Sequence, residues 1–183
     1  DFFREKNISW MNGLSWHQRY IKLNQDSFPV TWLEVDPRQT NFSIKPFLSN
    51  PSGHMEGTAS LLNIVKKLPI IAAINGGFFN RKNKLPLSVI RQDNIWRSSP
   101  ILNRGVIAWN DAGDLMISRL ILQETIRTEN GKFLPIIYPN SAYIQGGISR
   151  YTPAWGNHYI PLSDQEIIVT IIDDQIISHT PGG

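Results

Sequence analysis

One stretch constrains this chain more than any other: Ile70-Ile71-Ala72-Ala73-Ile74, a continuous apolar run that empties directly into Asn75-Gly76-Gly77. In a strand, such a run means burial on both faces, so it predicts a central strand whose C-terminal end meets solvent at the Asn-Gly-Gly step. Ahead of it, Thr58 precedes Ala59, Leu61, Leu62, Ile64 and Val65 at helical spacing. Thr58 is the candidate N-cap, Lys66-Lys67 suits the negative end of the helix dipole, and Pro69 stops the helix.

Short β-branched and aromatic runs surround this unit. Val30–Val35 and Phe42–Phe47, separated by Asp36-Pro37-Arg38-Gln39-Thr40-Asn41, predict a hairpin or meander. Further strands are expected at 87–90, 105–109, 115–120, 142–145, 166–172 and 175–178, with hairpin turns at Asp111-Ala112-Gly113-Asp114 and Asp173-Asp174. The polar, mixed residues 1–27, with Trp10, Trp16 and Tyr20 interspersed, read as an amphipathic lead-in to a domain at 28–183. The expected fold class is α+β, a mixed, strand-rich sheet with few helices.

Composition removes several function classes. A net charge of +3 over 183 residues is too small for an electrostatic footprint on nucleic acid. The absence of cysteine excludes a disulfide framework and thiolate zinc sites. No apolar run approaches the roughly 18 residues that span a bilayer, so no transmembrane segment is expected. Residues Asp1 to Lys6 lack the pattern of a signal peptide, and the missing initial Met is compatible with removal of an upstream segment. His17, His54, His158 and His179 show no helical metal-ligand spacing, and neither P-loop nor dinucleotide fingerprint is present, so neither metal nor cofactor is implied.

The chemistry concentrates at Asn75-Gly76-Gly77-Phe78-Phe79. Side-chain-free backbone at a strand end lets a ligand approach closely and lets N–H groups face an anion. Phe78 and Phe79 add flat apolar area on which a sugar can stack; the plainer alternative is a turn followed by two core phenylalanines. Tyr151 and Trp155, stiffened by Pro153, offer a second aromatic wall for a glycan, or else a loop packing its rings on the core.

Five pieces in order resemble the phosphodiester glycosidase family, relatives of the enzyme that uncovers mannose 6-phosphate by removing N-acetylglucosamine. They are Glu56-Gly57-Thr58-Ala59-Ser60, Ala73-Ile74-Asn75-Gly76-Gly77-Phe78-Phe79, Leu85-Pro86-Leu87-Ser88 through Asp93-Asn94, Asn103-Arg104-Gly105, and Tyr151-Thr152-Pro153-Ala154-Trp155-Gly156 with Glu166-Ile167-Ile168-Val169. The last resembles a segment of bacterial members. Ser88 and Asn94 stand where that family has Gly, which implies altered turns. The family's later Asp-Gly-Gly-Gly-Ser-Ser segment has no counterpart, so the resemblance is to an N-terminal portion, incomplete at its C-terminus. An uncovered sheet edge, and self-association through it, would follow.

The resemblance implies hydrolysis of a sugar-1-phosphodiester, with sugar and phosphate monoester as products. A cation holding the phosphate then matters more than an acid on the leaving oxygen. Arg104 is the candidate clamp, because a guanidinium grips two phosphate oxygens at once; its plain alternative is a solvated hairpin arginine. Glu56 is the candidate base or nucleophile, against a helix N-terminal acid favoured by the dipole. Asn75 would bind a sugar hydroxyl or acetamido group, or merely fix the turn. Asp36, Asp111, Asp114, Asp173 and Asp174 read as turn residues. The alternative function is a non-catalytic glycan-binding or scaffolding module of a bacterial envelope or exopolysaccharide system. The resemblance favours an extracytoplasmic location.

Overall fold

The computed structural model describes residues 3–39, 42–50, 54–143 and 146–182. The chain divides into two compact units: Asp1–Lys45 with Ile107–Ile117, and Pro46–Val106 with Ser118–Gly183.

The first unit is built on a three-stranded antiparallel meander of β1 (Lys6–Met11), β2 (Leu14–Leu23) and β3 (Asp26–Val35). The residues read as a lead-in therefore hold β1, β2 and the start of β3. Two tight turns close the ladder: Asn12-Gly13, with Gly13 at φ +76°, and Asn24-Gln25, with Asn24 at φ +56°. Both place residues that tolerate the left-handed region where a short hairpin demands it. The expected pairing of 30–35 with 42–47 does not form, because β3 pairs along its whole length with β2, from Leu14 opposite Val35 to Leu23 opposite Asp26. A two-residue turn closes that register at less entropic cost than the longer Asp36–Asn41 link. Ser43–Phe47 is irregular.

Beyond β3, Pro37–Gln39 makes a single 3-10 turn. Asp36 organises it as a turn former. Its carboxylate accepts from the Arg38 backbone N–H (3.1 Å), Arg38 Nε (3.1 Å) and Gln39 Nε2 (2.7 Å). The Arg38 hydrogen bonds hold the Asp36 carboxyl below its ordinary pKa. Trp109 Nε1 donates to the Ile44 carbonyl at 2.6 Å, satisfying its one polar atom within the same unit.

The hairpin of β6 (Gly105–Trp109) and β7 (Leu115–Arg119) crosses the division of the chain. At its tip, Asn110 and Asp114 exchange side-chain and main-chain hydrogen bonds around Gly113, at φ +86°. This is the turn the sequence predicts.

In the second unit, β4 (Ile90–Gln92) pairs with β5 (Ile95–Ser98), β8 (Glu124–Arg127) with β9 (Phe133–Ile136), and β10 (Ile167–Ile172) with β11 (Gln175–Pro181), all antiparallel. Asp93-Asn94 (φ +51° and +63°) and Asp173-Asp174 (φ +48° and +60°) form two of the turns. Asn94 thus adopts the left-handed backbone that glycine would favour. The core gathers Met55, Leu85, Ala142 and Trp155, flanked by Leu48, Leu87, Ile90, Tyr151, Tyr159 and Leu162.

The structure is strand-rich and mostly β, so the α+β expectation holds only loosely. Small separate antiparallel sheets stand in place of the single mixed sheet. Among the described residues the α-helix is α1, five residues at Leu61–Val65, with Ser60 rather than Thr58 at the N-cap position and no side-chain cap hydrogen bond. The largest departure is Ile70–Ile74, which joins no strand and lies mostly exposed. Strand β4 begins at Ile90 instead of Leu87. Ala142 and Tyr143 are irregular, and Ile144-Gln145 lie outside the described residues.

Candidate functional site

Past Gly77 the chain turns back on itself. Phe79 forms an antiparallel bridge with Pro86, the Leu87 N–H donates to the Phe78 carbonyl at 2.8 Å, and the Asn80 N–H donates to the Leu85 carbonyl at 2.8 Å. Asn80 and Asn83 side chains accept from Lys82 and Leu85 N–H groups, so the link fixes itself locally. Leu85 and Leu87 enter the core while Phe78 stays 75% exposed. Extended pairing sends the neighbouring Phe78 and Phe79 rings to opposite faces, so they do not make one shared wall. Each ring has its own cation: Arg104 lies 5.8 Å over Phe78, and Lys84 lies 5.8 Å over Phe79.

Arg104 reaches its place through an unusual turn. Leu102 and Asn103 both adopt left-handed backbone, at φ +53° and +51°, and the Arg104 N–H closes the turn on the Ile101 carbonyl at 3.1 Å. A leucine in that region is strained, and buried Ile101 anchors the turn on one side. The guanidinium is anchored on the other side, where Nη1 donates to the Leu87 carbonyl at 3.1 Å. The structure thereby brings Arg104 to Phe78, three residues beyond Asn75.

Asn75 and both glycines are exposed. A Cβ on Gly76 would meet open space, whereas one on Gly77 would run into Ser88 Oγ, with Ser88 Cβ at 3.0 Å. Neither glycine has positive φ. A side chain at Gly77 would therefore need Ser88 to shift, and the Ser88 carbonyl is in turn held by Ser98 Oγ at 2.5 Å. The Asn-Gly-Gly step is not the end of a central strand, because Ile70–Ile74 has no strand partner.

Glu56 is exposed and lies upstream of α1, whose first turn holds no acidic residue, so the helix-dipole alternative does not describe it. It sits between Met55, whose N–H donates to the Trp155 carbonyl at 3.1 Å, and Gly57 at φ +103°. Among the described residues no hydrogen bond or ion pair joins Glu56 to Asn75 or Arg104.

Trp155 is 6% exposed and belongs to the core, and Tyr151 is half-buried against it. The second aromatic wall is therefore core rather than an open glycan face. The Tyr151 O–H donates to the Ser141 carbonyl at 2.6 Å, and its ring lies 4.2 Å from that of Tyr159, whose O–H donates to Glu166 Oε2 at 2.5 Å. Burial pushes the Tyr151 phenol up to about 12, and burial with the Glu166 hydrogen bond pushes Tyr159 higher still. These phenols stay protonated and act as donors, not bases.

Sequence reasoning passed over Asn140. At φ +49°, its side chain donates to the Trp96 carbonyl (3.0 Å) and Thr152 Oγ1 (2.9 Å) and accepts from the Thr152 N–H (2.9 Å). The Pro139-Asn140 pair is the turn signal that marks it. It borders an open cleft of about 360 Å³ lined by Trp96, Glu124, Arg150 and Thr152. There Arg150 is already engaged in a close ion pair with Glu124, leaving less free cationic character than at Arg104.

No family model matches the chain, and no curated protein matches it. A solved structure, described as a hypothetical protein from Synechocystis, is similar over 98% of this chain at 45% identity and a TM-score of 0.91. This chain spans about a third of that protein's length, 33%.

Proposed function

We propose that the chain carries the anion-holding part of a phosphodiester glycosidase site, which hydrolyses a sugar-1-phosphodiester to the sugar and a phosphate monoester. The observation that carries this reading is the Arg104 guanidinium, held over exposed Phe78 by a strained turn and the Leu87 carbonyl, with open backbone at Gly76 two residues before Phe78 in the sequence. Such a pairing suits a sugar phosphate: the ring faces the sugar, and the guanidinium N–H groups not engaged by Leu87 face two phosphate oxygens. Asn75 is close by in sequence to bind a sugar hydroxyl. In the reaction, water adds to the anomeric carbon and gives its proton to a carboxylate, for which Glu56 is the candidate. The bond from that carbon to the phosphate oxygen breaks, and its electron pair leaves on the monoester. Arg104 stabilises that leaving anion. The family resemblance supports this reading and an extracytoplasmic, bacterial envelope setting. No helix among the described residues is long and apolar enough to cross a membrane.

The glycan-binding alternative is favoured by one observation: Arg104 and Phe78 are assembled with each other, while Glu56 is joined to neither. The test is hydrolysis of a methyl sugar-1-phosphodiester, with binding measured in parallel by calorimetry. Arg104→Lys keeps the charge but loses the planar fork, and is expected to lower kcat/KM about 10- to 100-fold. Binding without turnover, lost in Phe78→Ala, would select the binding module. Absence of both binding and turnover would overturn both readings.

A further inference from the structure

The strongest unexplained feature is apolar main chain that the structure leaves without a neighbour. Ile71 and Ile74 are exposed, Ile74 by 77%, and among the described residues no backbone hydrogen bond is made by Ile71 to Ile74. A second region shows the same property. Among the described residues the β10–β11 hairpin pairs only with itself, which leaves an edge of each strand unpaired there. Five of its isoleucines are exposed: Ile167 and Ile171 on one face of β10, Ile172 on the other beside half-buried Ile168, and adjacent Ile176 and Ile177 at a bulge of β11. A solvated surface strand alternates apolar and polar residues. Strands apolar on both faces are the pattern of a covered sheet interior. A lone two-stranded ribbon is also only marginally stable in water.

The similar structure supplies a candidate occupant. The Synechocystis structure has the same chain trace over 98% of this protein and about twice as much polypeptide again outside the match. A conformation with bare apolar strands is understandable where further chain adds strands to it. We infer that Ile70–Ile74 and β10–β11 are interior strands of a larger sheet, whose seat is filled by polypeptide equivalent to the unmatched two-thirds of that protein. The occupant is an apolar, strand-forming chain that pairs edge to edge with these segments. Because Ile74 leads directly into Asn75-Gly76-Gly77, the same partner would wall one side of the candidate site. The inference rests on exposed apolar backbone and does not depend on the glycosidase reading.

Two measurements test it. In the Synechocystis crystal structure, the counterparts of Ile70–Ile74 and β10–β11 are expected to be hydrogen-bonded by strands from outside the matched third; solvent-exposed counterparts would overturn the inference. In solution, this chain alone is expected to exchange the amide hydrogens of 71–74 rapidly and to bind a hydrophobic dye. Co-expression with the unmatched portion of the Synechocystis protein should give a 1:1 complex in which those amides are protected at least 10-fold. Ile74→Glu should weaken that complex about 10-fold or more, while Leu23→Lys, exposed in the first unit, should not. A chain that protects 71–74 as a monomer, that protects them only as a homodimer, or that yields no complex on co-expression would each overturn it.

Discussion

Trp155 and Ile74 occupy the same unit and are comparably apolar, yet one is 6% exposed and the other 77%. Around Trp155 the polar groups are engaged: Met55 bonds its carbonyl, Tyr151 bonds Ser141, and Tyr159 bonds Glu166. Around Ile74 no backbone hydrogen bond is made to Ile71–Ile74 among the described residues. Apolarity selects residues that should be covered, but a hydrogen-bonding neighbour decides which ones are. The stability of the isolated chain should therefore reside in the first region and scarcely at all in the second.

The largest expected effect comes from breaking the closed region. Trp155→Ala removes the largest side chain of the core cluster and should destabilise the second unit by about 3–5 kcal/mol. Urea unfolding followed by the remaining tryptophans measures it; a loss below about 1 kcal/mol would mean that this cluster is not the core.

Next comes the polar lining of that region. Tyr159→Phe removes the donor to Glu166 Oε2 and should cost about 1–3 kcal/mol, since the acceptor is a part-buried carboxylate. Glu166 Oε1 keeps the Leu162 N–H at 2.8 Å, so the loop should stay folded. A pH titration sharpens the point. Both phenols have raised pKa values in the fold, so their contribution is complete below pH about 10, where unfolded tyrosine is still protonated. It is lost as pH rises through about 12, the folded value of Tyr151, because the unfolded chain releases its protons first. Tyr159→Phe should flatten that alkaline decline; an unchanged slope would place its cause elsewhere.

The contrast also explains what was readable in the sequence. Hairpins with self-contained turns were legible: β6–β7 around Gly113 and β10–β11 around Asp173-Asp174 fall within a few residues of expectation. Asn12-Gly13 carried an equally strong local signal and went unused, which hid β1 and β2 behind their polar composition. Ile70–Ile74 was misplaced because a strand's partner lies far along the chain or outside it, and no local pattern supplies one. At the site, Arg104 and the exposed Phe78 were legible as residue types, but not the strained Leu102-Asn103 turn that joins them. Trp155 and Tyr151 stayed open between glycan wall and core because both share one composition, and the structure selects the core.

Gly77 lies between the two regions. Gly77→Ala would press its Cβ on the Ser88 side chain, whose backbone carbonyl is held by the Ser98 hydroxyl, and should cost about 1 kcal/mol. Ser88→Gly in the same chain should recover most of that loss, because the clash is with the serine side chain. Gly76→Ala, facing open space without positive φ, should be close to neutral. Thermal unfolding of these three variants and of Ser88→Gly alone gives the coupling; a penalty that Ser88→Gly does not relieve would point to backbone strain instead of contact.

The smallest effect is expected at Ile74 itself. With 77% of the residue in water, little apolar area is removed from solvent on folding, and a substitution there sacrifices neither a core contact nor a hydrogen bond. Ile74→Lys should change the unfolding free energy of this chain by less than about 0.5 kcal/mol and make it more soluble. The near-zero value discriminates because the neighbouring sequence, Ile70-Ile71-Ala72-Ala73, has the composition of a buried strand, for which lysine would cost several kcal/mol. A loss of that size in the isolated chain would show that Ile74 is already covered and that the open region is closed in solution. A neutral result in the chain alone, with a large loss once the strand-forming partner is bound, would locate the missing neighbour at this edge.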